Sequence, residues 1–125
     1  MQNVNTVVIT GNLTRDPDLR YAQKSNEFVC KLRVAVTGRR KDAESGWWID
    51  KPNYFDVAVW GGQAESCANY LAKGRGIAVA GRLDWHEWED GEGAKRESVE
   101  IIAGSVRFLD APVQETEAAR EEGPA

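Results

Sequence analysis

Five Trp and three Tyr are conspicuous in a chain of 125 residues, and several fall at spacings that keep them off a core. In Tyr54 to Trp60, Phe55, Val57 and Val59 alternate with Tyr54, Asp56, Ala58 and Trp60, so Tyr54 and Trp60 share the outer side of one strand. In Ile77 to Glu89, Ile77, Val79, Gly81 and Leu83 alternate with Ala78, Ala80, Arg82, Asp84, His86 and Trp88. Trp88 therefore shares its side with Arg82 and His86. A third run, Phe28 to Val36, sets Phe28, Cys30, Leu32, Val34 and Val36 on its apolar side, with Lys31 and Arg33 opposite. Flat rings offer sequence-tolerant stacking to nucleobases, while Lys and Arg follow phosphates. Trp and Tyr are also enriched where protomers meet, so an interface between copies, or with another protein, is the competing reading. The interleaving of these rings with Lys31, Arg33, Arg39, Arg40 and Arg82 favours stacking. Trp85 has the parity of Leu83 and is expected in the core or in an interface.

Other chemistry finds little to work with. The single His and two scattered Cys make no four-ligand zinc set, so no metal site is expected and His86 reads as a surface strand residue. Cys30 and Cys67 read as buried, reduced thiols. Gly74-Arg75-Gly76 follows a helix and precedes a strand, the reverse of a dinucleotide fingerprint, and no Gly-Lys-Ser/Thr phosphate loop is present. The expectation is no catalytic residue, no cofactor and no enzyme.

These side chains need strands to hold them. Besides the three runs above, Val4 to Thr10 reads as a strand covered on both sides, and Ser98 to Leu109 follows the hairpin signal Asp90-Gly91. One segment has helical period instead: Ala64, Cys67, Ala68 and Leu71 recur in Gln63 to Lys73, with Lys73 in the last turn and Gly74 as the stop. Five strands with a helix between the third and fourth is the layout of an all-β OB-fold, a Greek-key barrel. The connection Thr37–Asn53 is long for a hairpin and holds Arg39, Arg40, Lys41, Trp47 and Trp48, a loop composition suited to binding.

Charge is unevenly spread. The chain carries a formal −4, which on its face disfavours a nucleic-acid partner. Residues 111–125, with four Glu and one Arg, hold −3 of it and read as a short disordered acidic tail behind a domain spanning 1–110. Residues 12–41 carry eight basic against three acidic side chains. No run reaches the roughly 18 apolar residues of a membrane span, and MQNVNTVVITGN lacks a signal peptide's basic start and apolar stretch, so a cytoplasmic protein is expected.

Four segments together resemble the bacterial single-stranded DNA-binding protein family: GNLTRDPDLRY, FDVAVWG, AESCANYLAKG and GRLDWHEWED. The resemblance runs over residues 4–110. It implies an OB-fold, usually a homotetramer, that binds and protects single-stranded DNA in replication, recombination and repair, close to the nucleoid. It implies stacking by Tyr54, Trp60 and Trp88 and phosphate contacts by Arg20 and Lys73. With the readings above, the candidate binding set is Arg20, Lys31, Arg33, Arg39, Arg40, Trp47, Trp48, Tyr54, Trp60, Lys73, Arg82 and Trp88. Arg40 stands where many members carry an aromatic ring, and Asp56 and Gly62 stand where members are often basic. The acidic Pro-Phe tip with which members recruit replication and repair enzymes is replaced by Glu121-Glu122-Gly123-Pro124-Ala125, so protein partners are not carried over.

Overall fold

The computed structural model describes residues 3–109; the expected tail, 111–125, lies outside them. Seven elements follow one another: β1 (Val7–Leu13), β2 (Asp18–Ala22), β3 (Glu27–Lys41), β4 (Trp48–Trp60), α1 (Gly62–Tyr70), β5 (Gly76–Glu89) and β6 (Lys95–Phe108). The sheet runs β1-β5-β6-β4-β3-β2, and a further β1–β3 pairing closes it. Closure leaves a five-stranded barrel with β2 added outside β3, which is the expected OB-fold with one extra strand.

Alternation builds the core. Cys30, Leu32, Val34, Val57, Val59, Ile77, Val79 and Ile101 point inward and are each at most 2% exposed. Each large side chain buried this way contributes about 1.5–3 kcal/mol. Ala64 and Cys67 of α1, with Leu71 just beyond it, join the same cluster. Two glycines let the wall close. A Cβ on Gly11 would collide with the Ala35 carbonyl oxygen, and one on Gly81 with that of Ile102. In β6 the register skips Gly104 between Ala80↔Ser105 and Gly81↔Ala103. That bulge reverses the parity of the strand, so Ala103 on one side and Val106 and Phe108 on the other all pack on the core.

The structure corrects several expectations. Thr37–Asn53 is not a loop: β3 and β4 pair from Val29↔Trp60 to Lys41↔Trp48, and only residues 42–47 connect them. Gly38, Asp50 and Pro52 disguised this arm, because β-propensity mostly reports packing on a covered face and the arm extends away from the core. The short outer strand β2 was invisible for the same reason. The helix stops at Tyr70, where Leu71 turns extended (φ −104°, ψ 154°), so Lys73 is not in its last turn and Gly74 does not cap it. Gly74 instead donates its N–H to the Leu13 carbonyl at 2.8 Å in the turn leading to β5. The first strand is displaced to Val7–Leu13, and within this chain it is covered on one side only, since Val8 is 71% exposed. Phe28, Phe55 and Leu83 keep inward parity yet lie exposed, as does Trp85, which is not a core residue. Phe28 packs edge-to-face on Tyr21 of β2, centroids 5.2 Å apart.

Both cysteines are buried and free, as expected. Burial, and then the neighbouring Cys30, push the Cys67 thiol up to about 11. Among the described residues no helix is long and apolar enough to cross a membrane.

Candidate nucleic-acid interface

Strand register sorts the outward side chains into rows. Arg20 of β2 lies opposite Val29, and Val29 opposite Trp60. The next row runs Lys31, Ala58, Ile102, Arg82 across β3, β4, β6 and β5. Beyond it Arg33 faces Asp56, and Glu100 faces Asp84; then Ala35 faces Tyr54, Ser98 faces His86, and Arg96 faces Trp88. Rings and cations thus share one continuous sheet face. Val29 and Ala58, though on this side, are buried among their longer neighbours.

Most of the cations are already partnered. Arg20 bridges Asp18 at 2.7 Å, which raises the guanidinium pKa through the hydrogen bond first and the charge second. Lys31 Nζ donates to Glu100 Oε2 at 3.1 Å, and Arg33 Nη1 to Asp56 Oδ1 at 2.9 Å. Arg33 also lies over the Tyr54 ring, 5.4 Å from its centroid, a distance at which the ring quadrupole attracts the cation. His86 sits 5.5 Å from Trp88 and shares a 3.0 Å hydrogen bond with Ser98 Oγ.

The β3–β4 arm continues the pattern. Arg39 lies over the Trp48 ring at 5.1 Å, on the same parity as Arg33 and Tyr54. Its tip is held by Asp42, which accepts from Ser45 Oγ at 2.7 Å; the Ser45 bonds, hydroxyl first, lower the Asp42 pKa. Trp47 follows in this turn and is 61% exposed. Arg40 pairs with Ile49 on the opposite side of the arm, so the structure does not bring it to the ring-bearing face. Lys73 lies in the turn after α1 rather than on a strand, its N–H bonded to Asp16 Oδ1 at 2.9 Å. Arg82 and Trp88 are where alternation places them, exposed along β5.

A groove of about 410 Å³ runs between these rows. Arg15, Arg20, Lys31 and Arg33 line it together with Asp56 and Glu100, and His86 and Ser98 also belong to its wall. Asp84, His86 and Glu100 bring ligand atoms within 4.8 Å of one another and are a set among the described residues able to hold a metal ion. Glu100 is engaged with Lys31, however, and His86 with Ser98.

The model of the single-strand binding protein family matches residues 4–109. The chain belongs to this family. It is 41% identical to the single-stranded DNA-binding protein of Treponema pallidum (strain Nichols) over 109 residues, covering 87% of this chain and 60% of that one. It is 34% identical to the single-stranded DNA-binding protein of Borreliella burgdorferi over 110 residues, covering 87% of this chain and 72% of that one. The chain thus spans less than two thirds of the Treponema protein's length. Among solved structures, a Plasmodium falciparum SSB complex with ssDNA superposes with a TM-score of 0.78 at 21% identity, covering 88% of this chain and 98% of that one. At that identity the likeness speaks for the fold.

Some groove residues of this family member carry no distinguishing signal in the sequence. Arg15 sits in the basic segment but carries no periodic signal, because it lies in the bend between β1 and β2. For His86 the sequence indicates only a surface strand position. Its alternation with Trp88 was the available clue; its seat in the groove depends on β6 lying alongside. Asp56 was visible as a departure from the family pattern, whereas nothing local in the sequence joins Glu100 to Lys31, 69 positions away.

Proposed function

We propose that this chain binds single-stranded DNA without sequence preference and without catalysing a reaction, protecting exposed strands during replication, recombination and repair. The observation that carries this reading is the face on which Trp60, Tyr54, Trp88 and Trp48 interleave with Arg20, Lys31, Arg33 and Arg39. Rings open to solvent at strand spacing accept successive bases, and the cations between them neutralise the backbone. Family membership and the named relatives support the same reading. Lys73 and Arg82 extend the cationic track in this proposal, Trp47 offers a further ring at the arm tip, and Arg40 contributes from the arm's other side.

The proposal includes assembly into a homotetramer, since Val8 and the cluster Leu83, Trp85 and Val99 leave apolar surface for other copies to cover. Sedimentation at micromolar concentration tests it, with a monomer as the refuting result. Binding itself is tested by titrating the Trp fluorescence with oligo-dT and oligo-rU. Quenching by dT that weakens as salt rises is the expected result; no quenching at low salt refutes it.

A further inference from the structure

The ring-bearing face is crossed by a band of carboxylates that stacking and phosphate contact do not require. One position before the Val57↔Ile101 pair, Asp56 of β4 comes beside Glu100 of β6, and Glu100 lies opposite Asp84 of β5. The band separates the Trp60–Lys31 side of the face from the Tyr54, His86 and Trp88 side. It is also connected: Asp56 holds Arg33 at 2.9 Å and Glu100 holds Lys31 at 3.1 Å. The second pair is the better shielded, with the Glu100 side chain only 14% exposed.

We propose that Asp56 and Glu100 act as internal substitutes for backbone phosphate and determine selectivity for a long single strand over small anions and duplex DNA. The inference rests on the single-strand-binding reading of this face. Each carboxylate keeps its cation oriented but occupied, so an incoming phosphate exchanges one charge-assisted contact for another and gains little from the exchange. A free nucleotide brings one phosphate and one base, too few to displace both carboxylates and occupy several rings at once. A duplex buries its base faces within its own stack. A long single strand brings phosphates together with bases for Trp60, Tyr54 and Trp88, and only that combination offsets displacement of both carboxylates. Asp56 and Glu100 are positioning residues here, acting through Arg33 and Lys31.

The test uses Asp56→Asn and Glu100→Gln, with Glu65→Gln on α1 as a charge-matched control away from the face. Trp fluorescence titrations with oligo-dT, duplex DNA and dTMP are run across a salt series, with thermal unfolding to confirm folding. Each face variant should bind oligo-dT about fivefold more tightly at low salt. The salt slope should steepen by about 0.7 for each phosphate newly engaged. Both variants should gain a larger factor for duplex and for dTMP than for oligo-dT, so that the preference for the long strand narrows. An equal factor for all three would overturn the selectivity role, and Glu65→Gln should gain none. Folded variants with unchanged affinity and slope, or an equal gain in Glu65→Gln, would overturn the proposal while leaving wild-type binding to oligo-dT intact. Absence of wild-type binding would overturn the underlying reading and this inference with it. If Glu100→Gln unfolds, the more exposed Asp56 pair still decides the matter.

Discussion

Trp60→Ala separates stacking from charge. Trp60 ends β4 opposite the buried Val29 and one row from Lys31, and it keeps 38% of its surface open. A base stacked on an aromatic ring is worth about 1–3 kcal/mol. With part of the ring covered by its own sheet, the lower part of that range applies, about 1–2 kcal/mol, or roughly five- to thirtyfold in Kd. The substitution removes no charge, so the slope of log Kd against log salt should not change. Arg20→Gln is the complementary variant: it should lower the slope by about 0.7 or less, because Arg20 already shares its charge with Asp18 at 2.7 Å. Trp60→Phe keeps a ring and should recover most of the affinity. The assay is oligo-dT titration monitored through the remaining Trp residues over a range of salt, with urea unfolding to confirm that the uncovered Val29 does not unfold the barrel. A slope that flattens in Trp60→Ala but not in Arg20→Gln would refute the division of roles. So would an unchanged affinity in Trp60→Ala.

Leu32 is 1% exposed at the barrel centre, so Leu32→Ala should cost about 2–5 kcal/mol by urea denaturation. Gly81→Ala forces a methyl group into the Ile102 carbonyl oxygen, and a lower melting temperature by calorimetry is expected, larger than for Gly91→Ala in the open turn. Burial raises the folded Cys67 thiol from the ordinary 9.0 to about 11, so the folded state keeps a proton that the unfolded chain releases. This contribution to stability is complete below pH 9 and is lost as pH rises through about 11. Unfolding free energy measured over that window should fall, and Cys67→Ala should make the fall shallower without abolishing it, since burial raises the Cys30 thiol in the same direction. Removing residues 111–125, which carry four Glu and one Arg, should tighten oligo-dT binding at low salt; unchanged affinity would leave that charge without a role.

Much of the candidate site was legible because a strand has period two. The Tyr54 to Trp60 and Ile77 to Glu89 runs carry their parity in the chain itself, and Tyr54, Trp60, Arg82 and Trp88 stand outward as that parity requires. Parity alone did not locate the edge of the core. Phe28, Phe55 and Leu83 have the inward phase and are nonetheless exposed. The arm beyond Val36 has the sequence of a loop because a ribbon away from the core has no covered face to impose alternation. Its pairing places Arg39 over Trp48 and turns Arg40 away from them, a distinction hidden in three consecutive basic residues.

Local pattern was enough for the barrel class, the inward and outward phase along the core stretches of β3, β4 and β5, the burial of both thiols and the concentration of basic residues in 12–41. Those properties are local: they follow from side-chain size, polarity and a two-residue repeat. Only the tertiary structure decided which charges meet. Arg33 and Asp56 are 23 positions apart and Lys31 and Glu100 are 69, so each pair exists only through the register of β3 on β4 and of β4 on β6. A charge's partner depends on separation in space, to which separation along the chain is no guide. The net charge of the chain therefore reveals little about the face, where acids and bases are interlocked row by row.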